Sequence, residues 1–327
     1  MKNKIVYIIA WLGYWFGIDR LFYCLNRRCK RVLTFHNVFP DGMTFVNDGG
    51  EMAIGASSFR RILEEISEVY EFSLDLCDVS TATVSFDDGF LNQYVVAAEV
   101  LREMDIPALL FVVGENIDRE DVLKSPSVDL LTLWLSRVPL EKINSHSRIR
   151  YWVDTLRPRY ANDSRRYGRG VVEECDKIWP FSELLEILDP EFLRLRLGGI
   201  TMQQLDDLRG RGWRIGWHSK HHYPMSAIPE EMKREEFSAP KTMLREPMSY
   251  PYGEPKSVGI EDVALAARAG FPCAYSNMDE ESDMLGQFFL PRFSVSCNKY
   301  LLHFHLSGLR HFLKTGRLLP AILPGKG

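Results

Sequence analysis

Along the chain, short apolar runs recur, each stopping at a glycine, a histidine, an aspartate or another turn-forming residue: "RVLTFHNV", "ATVSFDDG", "PALLFVVG", "WRIGWHS", "MSYPYG", "FPCAYSN" and "FLPRFSV". Between several of them the apolar positions switch to a spacing of three and four, as in "SSFRRILEEISEVY", "NQYVVAAEVLREM", "TMQQLDDLRGRG" and "VGIEDVALAARAG". Runs of the first kind predict strands and those of the second predict amphipathic helices. Their alternation predicts an α/β fold, with β/α units around a parallel sheet or barrel. Ser57 or Ser58 is expected to cap the first of these helices, and Gly212 and Gly270 to close the last two. In such folds the side chains that do chemistry gather at the C-terminal ends of the strands.

The rhythm breaks in two places. Residues 116–199 are charged and helix-rich ("LLTLWLSRV", "SELLEILDPEFLRLRL") without a clear strand, so they form a helical insert between two β/α units. A connection of that length is usually functional, often a lid. The body is expected over 31–310, flanked by an apolar basic helix over 1–30 and a basic apolar tail over 311–327.

Composition sharpens this picture mainly at the two ends. The chain has 327 residues, a net charge of −4 and 46% hydrophobic residues, ample for a buried core. Residues 1–40 hold seven Lys/Arg against Asp19 alone, residues 284–327 hold six and no acid, and the stretch between carries −16. Such basic apolar ends suit either an anionic membrane surface or outer helices packed on the core. The run "IVYIIAWLGYWFGI" falls short of the ~20 residues that span a bilayer. No small-residue cleavage site follows it, so the expectation is a cytoplasmic protein, with peripheral contact on the inner face of the membrane. Six scattered cysteines suggest neither a disulfide framework nor a four-thiolate zinc site. The acidic middle argues against a nucleic-acid partner.

Two stretches carry candidate chemistry. "VSFDDGFLNQY" places Asp87 and Asp88 side by side after a strand, which reads either as a solvated turn or as a functional pair. "GWRIGWHSKHHYP" places His218 and His222 four apart at another strand end, straddling His221. Two imidazoles and one carboxylate make a three-ligand site that leaves positions open for water and substrate. Asp88 can supply that carboxylate, leaving Asp87 as a base. A divalent cation would cancel the repulsion between the two acids.

With "SYPYG" and "LPRFSV" added, the motifs "SFDDGF" and "HSKHH" resemble, in order and spacing, the NodB-homology polysaccharide deacetylases, which are metal-dependent carbohydrate esterases. The resemblance covers about residues 30–115 and 200–300. It implies a distorted parallel (β/α) barrel, with Asp88, His218 and His222 holding a divalent metal, most commonly Zn²⁺ with Co²⁺ or Ni²⁺ as alternatives. It further implies Asp87 as catalytic base, Ser219 as support for the second motif and the backbone N–H of Tyr252 at the oxyanion. One departure stands out: many members carry an arginine where this chain has Ser249, and Arg292 is the candidate substitute. Branches acting on poly-N-acetylglucosamine are similar in lacking that arginine. Their early histidine points to His36 as general acid, with His303 and His305 as alternatives.

The activity implied is removal of N-acetyl groups from amino sugars of a poly- or oligosaccharide, in surface or exopolysaccharide synthesis. Alternatives are a deformylase or O-acetyl esterase on a lipid-linked sugar, and a non-catalytic sugar-binding relative. Among the aromatics near the motifs, Phe86 is expected to pack in the barrel, whereas Trp217 and Tyr252 are expected nearer its mouth.

Overall fold

The computed structural model describes residues 2–43, 53–119, 190–278 and 286–319, with a few helical positions between 150 and 159. Every one of the seven apolar runs contains a strand. In chain order these are β1 (Arg31–Phe35), β5 (Thr81–Phe86), β6 (Ala108–Val112), β7 (Arg214–Trp217), β8 (Met248–Ser249), β9 (Ala274–Tyr275) and β10 (Phe293–Ser294). The strands pair in parallel in the order β10-β1-β5-β6-β7-β8-β9. Three short strands complete the set: β2 (Asn37–Phe39) with β3 (Ala53–Gly55), and β4 (Glu71–Phe72) beside β5. The two edges β9 and β10 approach through Leu290, which bridges Tyr275 and accepts a hydrogen bond from the Ser276 N–H at 2.8 Å. A sheet curled in this way is the distorted (β/α) barrel expected from the alternation of elements.

Strands β1, β5 and β6 are buried at every position, as parallel strands covered on both faces should be. Alternate residues divide between two clusters. Val32, Leu109, Phe111, Tyr275 and Leu290 form one. Leu33, Val84, Leu110 and Ile215 face the other way and pack against helix residues such as Phe59, Leu63, Leu101 and Leu205.

Helix α3 (Ala56–Ser67) buries Phe59, Ile62, Leu63 and Ile66, the i, i+3, i+4, i+7 stripe that its sequence announces. At about 1.5–3 kcal/mol for each fully buried side chain, this stripe outweighs the helix's modest propensity. Its capping differs from expectation. The helix leaves β3 directly, so Gly55 occupies the cap and Ser57 lies inside the first turn, where its N–H donates to Asp41 at 3.1 Å. Helix α6 (Met202–Gly210) is capped by Thr201 in a capping box with Gln204, and α8 (Ile260–Ala269) ends on Gly270 at φ 98°.

The expected helix at 92–104 opens with a π turn over Gln93–Ala97 before α4 (Ala98–Glu103). Most of the insert expected at 116–199 lies outside the described residues. Its last part forms α5 (Pro190–Leu197), and the chain beyond it is clamped to the first motif by Leu91 N–H to Gly198 O and Ile200 N–H to Gly89 O. The flanking helices are α1 (Lys2–Trp15), α2 (Ile18–Leu25), α9 (Lys299–Leu306) and α10 (Leu309–Thr315), while α7 (Glu230–Glu236) follows the histidine motif. No single described helix is long and apolar enough to cross a membrane. Residues 320–327 of the expected tail lie outside the described residues.

Candidate active site

The site is built where strands stop. After Phe86 the chain turns through Asp88 at φ 81° and Gly89 at φ 77°, and the Asp88 carbonyl accepts from the Val113 N–H and the Asn116 amide. Gly89 is required there, because a Cβ would lie 2.6 Å from Val112 Cγ1 as well as in a left-handed conformation. After Trp217 the second motif does the same, with Ser219 at φ 65° and His222 at φ 61°. The Ser219 hydroxyl accepts from the His222 N–H at 3.0 Å and closes this turn. Six non-glycine residues have positive φ among the described residues, and four of them (Asp88, Ser219, His222 and Tyr252) belong to the three motifs. Backbone held in that region by its surroundings is characteristic of functional sites.

These turns bring Asp88, His218 and His222 together, each offering a ligand atom within 4.8 Å of the others. Asp88 Oδ1 lies 3.3 Å from His222 Nε2 and 3.6 Å from His218 Nε2. Ligands bound at ~2.0–2.2 Å to one ion stand roughly 3–3.5 Å apart, so the trio needs little movement to share a cation. Asp88 Oδ1 is also buried without a conventional hydrogen bond, which a cation would remedy. His218 Nδ1 donates to the Ser249 carbonyl at 2.9 Å, so its Nε2 lone pair faces the other two donors. Burial lowers the pKa of His218 to about 4 and keeps it in the neutral, ligating form. Burial alone would raise Asp88, but the His222 ring beside it, followed by His36 and His218, holds it well below the usual carboxylate range. One oxygen and two imidazole nitrogens suit zinc and its neighbours among divalent ions.

Asp87 points to a different partner. Arg292 donates to both its carboxylate oxygens, at 2.6 and 2.7 Å, and the same guanidinium reaches the Ser249 hydroxyl at 2.7 Å and the Ser276 carbonyl at 2.8 Å. Burial would raise the pKa of Asp87, and the Arg292 charge overcomes it, so the carboxylate stays ionised. Arg292 departs from the strand-end expectation: it precedes the short strand β10 and reaches Asp87 with its long side chain. His36 follows β1 and holds Nε2 3.8 Å from Asp87 Oδ2. Burial lowers its pKa, against the pull of both aspartates. Gln93, at the start of the π turn, donates its amide to the carbonyls of both His36 and Asp87 and thereby ties two strand ends together.

Several expected positions fall elsewhere. His303 is buried in the outer helices, bonded to the Tyr23 hydroxyl at 3.0 Å and 3.4 Å from Glu65. His305 lines a cleft with Phe293 and Ser294. Trp217 is buried, its Nε1 donating to the Glu236 carbonyl at 2.8 Å and its ring occupying the space that Gly114, lacking a Cβ, leaves open. Phe86, as expected, is a core residue, and so is Tyr250. Tyr252 sits at φ 61° with its ring 5.2 Å from that of His222.

Sequence reading missed Glu236. It is fully buried and accepts from both the backbone N–H and the Nδ1–H of His221, at 2.9 and 2.6 Å, bracing the turn between the two histidine ligand candidates. Within "EEMKREEF" nothing marks it off from its neighbours. Arg196, buried over the Phe90 ring and close enough for its charge to lower His36, came equally without a signal.

The deacetylase of Streptococcus pyogenes called PplD, solved with acetate, superposes with a TM-score of 0.52 at 14% identity, over 89% of this chain and 98% of its own. IcaB from Ammonifex degensii gives 0.49 at 16% identity, over 86% and 96%. At such identities the first likeness shows a shared fold. No curated protein matches the chain. The sequence profile of the polysaccharide deacetylases matches residues 78–267, more than half the chain, and takes in Asp87, Asp88, His218, His222 and Tyr252. The chain therefore belongs to the polysaccharide deacetylase family of enzymes.

Proposed function

We propose that this enzyme removes N-acetyl groups from amino sugars of a poly- or oligosaccharide, with a divalent cation held by Asp88, His218 and His222. The observation that carries the reading is the division of labour between adjacent acids: Asp88 Oδ1 lies 3.3 and 3.6 Å from the His222 and His218 rings, while Asp87, 3.8 Å from His218 Nε2, has both its oxygens bound by Arg292. A cation bound there supplies Lewis acidity, making water a better nucleophile near neutral pH and polarising the acyl carbonyl.

Asp87 is the base that takes the proton of the attacking water, and Arg292 keeps it ionised and fixed in orientation. The backbone N–H of Tyr252 faces the negative charge that develops on the acyl oxygen. His36 is the acid. Because its pKa is lowered, it rests neutral, and since its Nε2 stands 3.8 Å from Asp87 Oδ2, the proton collected by Asp87 reaches it through one bridging water before passing to the leaving nitrogen. That last transfer matters because an amine leaves an amide poorly unless it is protonated. The products are acetate and a free amino sugar. Surface or exopolysaccharide synthesis is the setting in which such a polymer is made.

Acetate release from a panel of N-acetylated glycans tests the proposal. Release should stop with chelator and return with Zn²⁺, Co²⁺ or Ni²⁺. Release that is indifferent to chelator, or absent from every glycan with each metal supplied, would overturn it.

A further inference from the structure

The outer helical layer carries a feature that deacetylation does not use. Helix α1 packs on α9 and α10 through a narrow strip, with Ala10 buried, Gly13 against Leu309, and Tyr7 and Tyr14 edge-on to Tyr300 at 6.0 and 5.3 Å. Helix α2 packs through Phe22, whose ring lies 5.0 Å from that of Phe312. Many of the other large apolar side chains of α1, α2 and α10, and of the turn between α1 and α2, are exposed. Ile8 is 54% exposed, Trp15 63%, Phe16 75% and Leu21 56%, and Leu25 and Leu313 continue the same layer. Soluble surfaces rarely leave so many large apolar side chains together without a partner.

We propose that α1, α2 and α10 form a docking face for the surface of an anionic lipid bilayer. Charge supplies the first argument. Lys4, Arg20, Arg28 and Arg317 are exposed on or beside these helices, while their one acid, Asp19, is buried. A face that is apolar at its centre and basic at its margin matches acyl chains below anionic headgroups.

Geometry supplies the second argument. Fourteen residues of α1 extend about 21 Å, less than the ~30 Å hydrocarbon core. The chain then breaks at Gly17, φ 69°, and α2 leaves at 82° to α1. Two short helices bent in this way suit a position in the plane of the interface, where tryptophan and tyrosine are favoured. A second copy of the chain fits less well, because across a two-fold axis the same basic margin would meet itself.

Flotation of the full chain with vesicles tests the proposal without reference to catalysis. The protein should rise with phosphatidylcholine vesicles containing phosphatidylglycerol, less with pure phosphatidylcholine, and less again in high salt. The double variant Trp15→Glu/Phe16→Glu should lose roughly tenfold or more of the binding. Arg20→Glu/Arg28→Glu should lose binding selectively to the anionic vesicles. All four positions are exposed, so circular dichroism should be unchanged. Wild-type protein that ignores anionic vesicles, or variants that bind as well as wild type, would overturn the proposal. So would a wild-type dimer in light scattering that Trp15→Glu/Phe16→Glu splits without any vesicle binding to lose, because the face would then belong to a second copy.

Discussion

Arg292 and Asp87, 205 residues apart in the chain, meet as a bidentate buried ion pair with both N–O distances below 2.8 Å. Taking either charge out of water alone costs several kcal/mol, and each cancels the other's cost only because two parallel hydrogen bonds form. The same guanidinium also donates to the Ser249 hydroxyl, so a long side chain that precedes β10 also binds a short one on β8.

Removing that guanidinium should therefore expose the base to its own burial. In Arg292→Met the Asp87 carboxyl loses the charge that lowers its pKa, and burial, which raises it, is left unopposed. The acidic limb of the rate profile should move to higher pH, and kcat for acetate release should fall by about 10²–10³ near neutral pH. Arg292→Lys should recover part of the shift but little of the rate, because one ammonium cannot hold both oxygens. An unmoved acidic limb in Arg292→Met would mean that Asp87 is not the titrating base.

The carboxylate that faces the imidazoles should behave differently from its neighbour. Asp88→Asn keeps the shape of the side chain but removes the charged ligand oxygen, so the purified protein should lose its divalent ion by elemental analysis and about 10³-fold or more in activity. Asp87→Asn should retain the ion while losing comparable activity. Equal metal content in the two variants would erase the distinction between ligand and base.

Glu236 offers a test of how the ligand turn is braced. Its carboxylate holds both the backbone and the ring of His221, between His218 and His222, while His222 is kept at φ 61°. Glu236→Ala should weaken metal affinity by about 10–100-fold in a competition titration, the usual cost of losing support behind a ligand. Glu236→Gln, which can still accept one of the two hydrogen bonds, should fall between. Since Glu236 bonds to His221 and Trp217 rather than to any of the three ligand candidates, kcat at saturating metal should change less than affinity.

How much of this was legible beforehand follows from which physical signals are local. Runs such as "PALLFVVG" announce buried parallel strands because burial on both faces leaves no polar alternation, and β6 is buried throughout. Asp88, His218 and His222 could be singled out because carboxylate and imidazole at strand ends are unusual there, and they converge. The Ser57 cap failed because β3 feeds α3 without a loop, a tertiary fact. Trp217 was expected nearer the mouth from its place beside the histidine motif, yet its ring is buried in space that Gly114, after β6, leaves open, which is a tertiary fact. Glu236, Gln93 and Arg196 act through long-range contacts with backbone or ring, which no spacing along the chain encodes.

The histidine that burial keeps neutral also sets the pH behaviour of the metal-free fold. In the unfolded chain the His218 imidazole binds a proton near its ordinary pKa of ~6.5, whereas in the folded chain it does so only at about 4. Between those values the unfolded state holds a proton that the folded state lacks, so stability rises with pH across the window. The contribution is fully present above ~6.5 and is lost as pH falls through about 4, amounting to about 3 kcal/mol at ~1.4 kcal/mol per unit. Urea denaturation of chelated protein at a series of pH values should show this slope, and comparison with His218→Gln isolates it from His36 and the aspartates. Saturating Zn²⁺ should steepen the wild-type slope, because the ion binds the neutral ring and competes with the proton. The variant should show neither the intrinsic slope nor the full zinc-dependent gain, and identical slopes in the two proteins would mean that His218 is already solvated and charged in the folded state.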